Sequence, residues 1–259
     1  MLQKILLSYT TPLLFIKIMF LFQSLRNYRH NIKILGCRST YIISSRTHVS
    51  TKESTVVLED SYVRKFMKAV GLVDQTRTRL KLSGYFLYES IPNKLPYVEW
   101  FNKCELPDTF ASWFLVTELH VWLLMVRCMY EDVGLVTLEK KQVKGDGYFI
   151  RNCLVEALWA DVTSRIKLLE AANTSLVKKQ VNELSEQFQA AIIGYDEGLS
   201  DDRVLAGAVW RRFYGLAHDV EASHIENIVK FIRQQTMELE KIPSEQFKFK
   251  SKINWLKLT

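Results

Sequence analysis

WFLVTELHVWLLMVR, residues 113–127, is the stretch on which the fold turns. It is apolar almost throughout, yet Glu118 and His120 stand inside it. Three readings compete: a membrane span, a metal or catalytic site, or a helix buried in a protein core. A helix from Trp113 to Met129 reaches about 25 Å at 1.5 Å per residue. That is short of a hydrocarbon core of roughly 30 Å, and it would strand a carboxylate and an imidazole in lipid. Residues two apart point about 200° apart around a helix, so Glu118 and His120 cannot ligate one ion. Leu115, Leu119, Trp122, Val126 and Met129 form one stripe, and Trp113, Val116, His120 and Leu124 form another nearly opposite. A helix apolar on both sides is a buried one, with Glu118 and His120 as satisfied polar groups at its edges.

Working outward, Asp108 or Thr109 is placed to cap this helix. The segment before it, Ile91 to Pro107, holds Pro92, Pro96 and Pro107 with Tyr97, Trp100 and Phe101 between them, and reads as a strap packed on the surface. Helical patterns precede it at 56–72, closed by Gly71, and at 76–90. On the other side, 131–147 is charged and glycine-bearing and reads as an exposed loop. A helix restarts near Tyr148 with Leu154, Leu158, Val162, Ile166 and Leu169 on one side. Asn173 caps the next, whose Val177, Val181, Leu184, Phe188 and Ala191 keep helical spacing up to an expected end at Gly194. Ser200, Asp201 and Asp202 open a further helix closed by Gly215, and Ser223 with Glu226 forms a capping box for a last one carrying Ile225, Ile228, Val229, Ile232 and Leu239. No stretch alternates with period two. The chain is therefore predicted to be all-α, a single helical domain of about six to eight helices.

Composition sets the frame around that core. The 259 residues are 48% hydrophobic and hold only ten glycines and five prolines, which favours helix over a turn-rich β architecture. The net charge of +7 would suggest a nucleic-acid or membrane-surface binder if it were spread evenly. Instead, residues 1–52 hold eight of the 35 basic residues and none of the 28 acidic ones, so everything after them is close to neutral. An acid-free, arginine-bearing and serine-dotted start reads as a mitochondrial targeting segment. The boundaries that follow are 1–52 for targeting, 53–107 for the first helices and the proline-rich strap, 108–242 for the helical core, and 243–259 for a basic tail. That tail, with its lysines among aromatics, reads as solvated. Cys37, Cys104, Cys128 and Cys153 are too scattered for a disulfide framework or a zinc site.

Three stretches invite chemistry. Glu221 and His224 spell E-x-x-H, half of a helical di-iron motif that needs a second copy and two further glutamates. YDEGLSDD, residues 195–202, gathers four carboxylates, but not at EF-hand spacing, since Gly207 stands at the twelfth position counted from Asp196. It reads as an acidic inter-helix loop, with a contact surface for a basic partner as the sharper alternative. No nucleophile elbow and no phosphate-binding glycine loop is present in the sequence.

The sequence resembles the ubiquinol-cytochrome c chaperone family in SWFLVTELHVWLLMVR (112–127), RNCLVEALWADVTSR (151–165) and above all AAIIGYDEGLSDDRVLAGAVWRRFY (190–214). It departs from that family in a longer charged segment at 131–147 and in stopping soon after INWLKL. The resemblance implies a non-enzymatic chaperone with no cofactor and no small-molecule substrate. It would be paired with a smaller partner factor near the mitochondrial ribosome, receive newly made cytochrome b, and touch the matrix side of the inner membrane peripherally. Within the matching motif, Tyr195, Asp196, Glu197, Asp201, Asp202, Trp210 and Arg211 are the residues to bet on for partner binding. Two alternatives stand beside it: a helical metalloenzyme using Glu221, His224 and the acidic loop, and an integral inner-membrane scaffold anchored by residues 5–22.

Overall fold

The computed structural model describes residues 75–132, 145–169 and 173–258. The targeting segment, the 56–72 helix and most of the 131–147 loop lie outside them. The described residues form eight helices and no strand: α1 Gln75–Lys94, α2 Tyr97–Lys103, α3 Phe110–Glu131, α4 Asp146–Leu169, α5 Thr174–Glu197, α6 Asp202–Tyr214, α7 Ala222–Glu240 and α8 Ser244–Lys250.

The opening stretch is α3, and it lies at the centre of this unit. It is capped by Thr109, whose hydroxyl accepts from the Ser112 N–H at 3.3 Å. Helices α1, α2, α4, α6 and α7 all pack on it. It is long and apolar enough to cross a membrane, yet 78% of its apolar window is covered by the protein itself. Val116, Leu119, Val121, Leu123 and Leu124 are at most 1% exposed, which is how a helix apolar all round satisfies itself without lipid. Glu118 and His120 are not at its edges as expected but fully inside, because neighbours now close over both flanks.

The expected stripe on α4 is observed in Leu154, Leu158, Val162 and Ile166, all buried, while Leu169 emerges into solvent. Other expectations shift by a turn. The proline-rich strap contains α2, whose Trp100 and Phe101 turn into the core. Helix α5 runs past Gly194 to Glu197 and ends at Gly198. The cap of α6 is Asp201, not Ser200, and its carboxylate accepts from the Arg203 N–H at 2.8 Å. The Ser223 and Glu226 capping box does not form. The N-cap of α7 is Glu221, and the Ser223 hydroxyl donates to that carboxylate at 2.7 Å.

The end of the chain differs most. Residues 243–259 were expected as a solvated tail, but Phe247, Ile253 and Leu258 are buried. After Ser251, which turns in the left-handed region at φ 50°, the chain runs extended across α1 and α7. Its main chain is held by side chains. Lys94 Nζ donates to the Ile253 carbonyl at 3.3 Å, and Gln235 both donates to the Asn254 carbonyl at 3.2 Å and accepts from the Leu256 N–H at 2.8 Å. Trp255 Nε1–H donates to the Ser90 carbonyl at 3.1 Å. The lysines dominate the composition, but they alternate with apolar residues that find a groove.

Candidate partner-binding surface

The 190–214 motif is the hairpin of α5 and α6, and its glycines set how close the two helices come. A Cβ at Gly198 would lie 2.5 Å from the Leu205 Cα, and one at Gly194 would lie 3.2 Å from the Ala208 Cβ. Both glycines keep the helices in near backbone contact. Arg233 of α7 clamps the turn between them, donating to the Leu199 and Gly198 carbonyls and to Asp202, each at 2.8 Å. These are the orphan carbonyls at the end of α5, so the clamp also satisfies the helix terminus.

The seven residues named from sequence divide into two sets. Tyr195 and Asp196 face inward. The Tyr195 ring packs 5.1 Å from the Trp122 ring, and its hydroxyl is buried beside Glu118 without closing a hydrogen bond. Asp196 accepts from Trp122 Nε1–H at 2.8 Å. Burial pushes its carboxyl up to about 6, against the pull of the Trp122 hydrogen bond and the Arg151 charge. Glu197, Asp202 and Arg211 are exposed, Asp201 and Trp210 half-buried. Asp201 and Asp202 already pair with Arg203 at 3.4 Å and Arg233 at 2.8 Å. The acidic surface read from sequence is thus largely neutralised by the chain's own arginines.

Sequence reasoning missed the pair beneath. Arg212 meets the buried Glu118 carboxylate in a two-pronged bond, Nε to Oε1 at 2.5 Å and Nη2 to Oε2 at 2.8 Å. Burial works to raise the Glu118 pKa and to lower that of Arg212, and the pairing pulls each back toward its charged form. The geometry is that of guanidinium with ionised carboxylate. The signal was available: a lone glutamate in an apolar helix needs a cation, and Arg212 sits on the inner side of a helix whose other flank carries Arg211.

For the metalloenzyme alternative, His224 Nε2 lies 4.0 Å from Glu221 Oε2, and its Nδ1 lies 4.0 Å from Glu105 Oε2. Neither is a ligand distance. Among the described residues no three His, Cys, Asp or Glu side chains gather as a metal site.

The model of the family described as ubiquinol-cytochrome C chaperone matches residues 102–254. The chain belongs to that family. Its match takes in α3 to α8 and reaches into the extended segment that crosses α7. Ubiquinol-cytochrome c reductase complex assembly factor 1 of Drosophila melanogaster is 46% identical over 242 residues, 89% of each chain. The human protein of that name is 31% identical across 82% of this chain and 68% of its own. The mitochondrial protein CBP3 of Saccharomyces cerevisiae is 30% identical across 72% of this chain and 49% of its own. The crystal structure of the Cbp3 homolog from Brucella abortus shares the fold, with a TM-score of 0.57 over 74% of this chain and 97% of that one at 16% identity.

Proposed function

We propose that this member of the family is a mitochondrial assembly chaperone for the ubiquinol-cytochrome c reductase complex. It receives newly synthesised cytochrome b near the mitochondrial ribosome, works with a smaller partner factor, and rests peripherally on the matrix side of the inner membrane without catalysing a reaction. The observation that carries this reading is the 46% identity, over 89% of both chains, to a relative named as an assembly factor of that complex. The geometry is consistent with it. Asp201, Asp202, Arg203 and Arg212 of the 190–214 motif are engaged as cap and ion pairs, and the motif's outward side is suited to contact. Glu197, Asp201, Asp202, Trp210 and Arg211 supply that surface, and Tyr195 and Asp196 support it from below.

The test is pulse-labelled mitochondrial translation in cells depleted of the protein. The expected outcome is selective loss of newly made cytochrome b during the chase while the other mitochondrial products persist. Normal synthesis and assembly of cytochrome b would remove this reading.

A further inference from the structure

The outward side of α6 is made of residues that do not usually meet water together: Arg203, Val204, Gly207, Trp210, Arg211 and Tyr214. Lysine, glutamate and glutamine, the ordinary coat of a solvent face, are missing from it. Tryptophan, tyrosine and arginine are the side chains enriched where proteins bind one another. Trp210 and Tyr214 are also held in place, since Trp210 Nε1–H donates to the Ala217 carbonyl at 2.8 Å and the Tyr214 hydroxyl donates to the Cys104 carbonyl at 3.1 Å. Their polar ends are satisfied, so their exposed parts are apolar ring surface fixed before any partner arrives.

Two backbone features accompany this surface, an open glycine and a left-handed turn in which the Ala217 N–H donates to the Tyr214 carbonyl at 3.0 Å. A Cβ at Gly207 would meet nothing within 4 Å, unlike one at Gly194 or Gly198. Glycine in an exposed helix interior destabilises it relative to alanine, and among the described residues none comes close enough to Gly207 to require it. Leu216, just beyond the helix, holds φ at 65° and is 49% exposed. A leucine in the left-handed region carries a steric cost, and here that turn displays its side chain to solvent. Val204 is 43% exposed on the same side. The charge of this face is positive: Arg203 pairs with Asp201, whereas Arg211 forms no ion pair among the described residues.

We propose that this face seats an amphipathic, carboxylate-bearing helix of the smaller partner factor, crossing α6 at Gly207. Its apolar side lies on Val204, Trp210 and Leu216, and a carboxylate lies over Arg211. Gly207 is then explained from outside the chain, because a helix crossing there approaches the α6 backbone as closely as Gly198 lets Leu205 approach α5. The identity of the partner rests on the reading above, whereas the location of the seat does not.

The experiment uses the full chain co-expressed with the smaller partner factor. A photo-crosslinking p-benzoylphenylalanine replaces Val204, or Leu82 on the exposed side of α1 as the comparison position, and Gly207→Ala, Gly207→Trp and Arg211→Glu are measured beside them. Expected are a partner crosslink from Val204 and little from Leu82, and a partner Kd at least tenfold weaker for Gly207→Trp and for Arg211→Glu. Gly207→Ala is expected to melt about 2–4 °C higher alone and yet to bind the partner no better. Partner crosslinks from Leu82 but not Val204, Val204 crosslinks only to cytochrome b or to a second copy, or an unchanged Kd for Arg211→Glu overturns the proposal. Should Gly207→Trp fail to fold, the Val204 crosslink and Arg211→Glu decide. Normal cytochrome b in depleted cells, with the Val204 crosslink intact, would remove the chaperone reading and leave the seat standing.

Discussion

His120 has its ring in a box of Trp100, Phe231 and Trp255, with centroids 5.2, 5.3 and 4.8 Å away, and nothing polar reaches its Nε2. Its Nδ1 lies 2.7 Å from the Val116 carbonyl, so Nδ1 carries the proton and Nε2 is a bare acceptor. Burial pushes its pKa down to about 4, and it raises that of Asp196 to about 6. The two therefore act oppositely on stability. The neutral His120 supports the fold above about pH 6.5, and that support is lost as pH falls toward 4. The carboxyl of Asp196 favours the fold below about pH 4, and that contribution is lost as pH rises through 6. Each is worth on the order of 3 kcal/mol, so in the unaltered chain they nearly cancel across that window. Single variants separate them. Asp196→Asn should lose stability steeply between pH 6.5 and 4.5, and His120→Leu should gain it over the same range, as read by urea unfolding. Parallel pH dependence in the two variants would refute the assignment. Of these groups, the sequence placed only His120 on the core helix, and at its edge rather than inside. The tie between Asp196 and Trp122 joins residues 74 positions apart, and no local spacing announces it.

At the scale of the elements, the helices were legible because each carries its own stripe and punctuation. Thr109, Asn173 and Gly215 stand where caps were expected, and the left-handed Gly215 ends α6 at φ 58°. The end of α5 moved for a tertiary reason. Gly194 reads locally as a stop, but at this position glycine serves the neighbouring helix, and the true end falls one turn later where Arg233 collects the carbonyls of Gly198 and Leu199. Whether a glycine terminates a helix or lets another helix near is decided by a contact that sequence spacing does not encode. Gly198 has φ of −73°, which any residue adopts, so its role is steric alone. Gly198→Ala should then cost about 2–3 kcal/mol through separation of α5 from α6. Gly194→Ala, whose nearest neighbour is the 3.2 Å Ala208 Cβ, should cost less. Chemical denaturation of the two variants ranks them, and an equal or reversed order would mean the hairpin opens more easily than this packing allows.

At the scale of the whole described unit, α3 is surrounded only because the chain returns to it from both sequence directions. Arg127, near its end, donates to the Leu239 carbonyl at 2.9 Å and to the Ile242 carbonyl at 2.8 Å, closing the last turn of α7. Trp255 stands over His120, seven residues earlier on the same face of the helix. The 243–259 segment was misread because lysine count speaks for solvent while the alternation of Ile253, Trp255 and Leu258 with polar residues is too short to outweigh it. Its groove exists only once α1 and α7 have both packed on α3. The basic residues do not contradict burial, since Lys94 reaches across to the segment's carbonyl while the segment's own Lys252 and Lys257 stay exposed. This makes the segment part of the core's closure rather than an appendage. Truncation after Lys252 removes two buried aliphatic side chains and uncovers the His120 box, a loss of about 4 kcal/mol or more. The expected result in thermal unfolding of the purified chain is a much lower and broader transition. A solvated tail would leave the transition where it is, and that outcome would return the segment to the role its composition suggests.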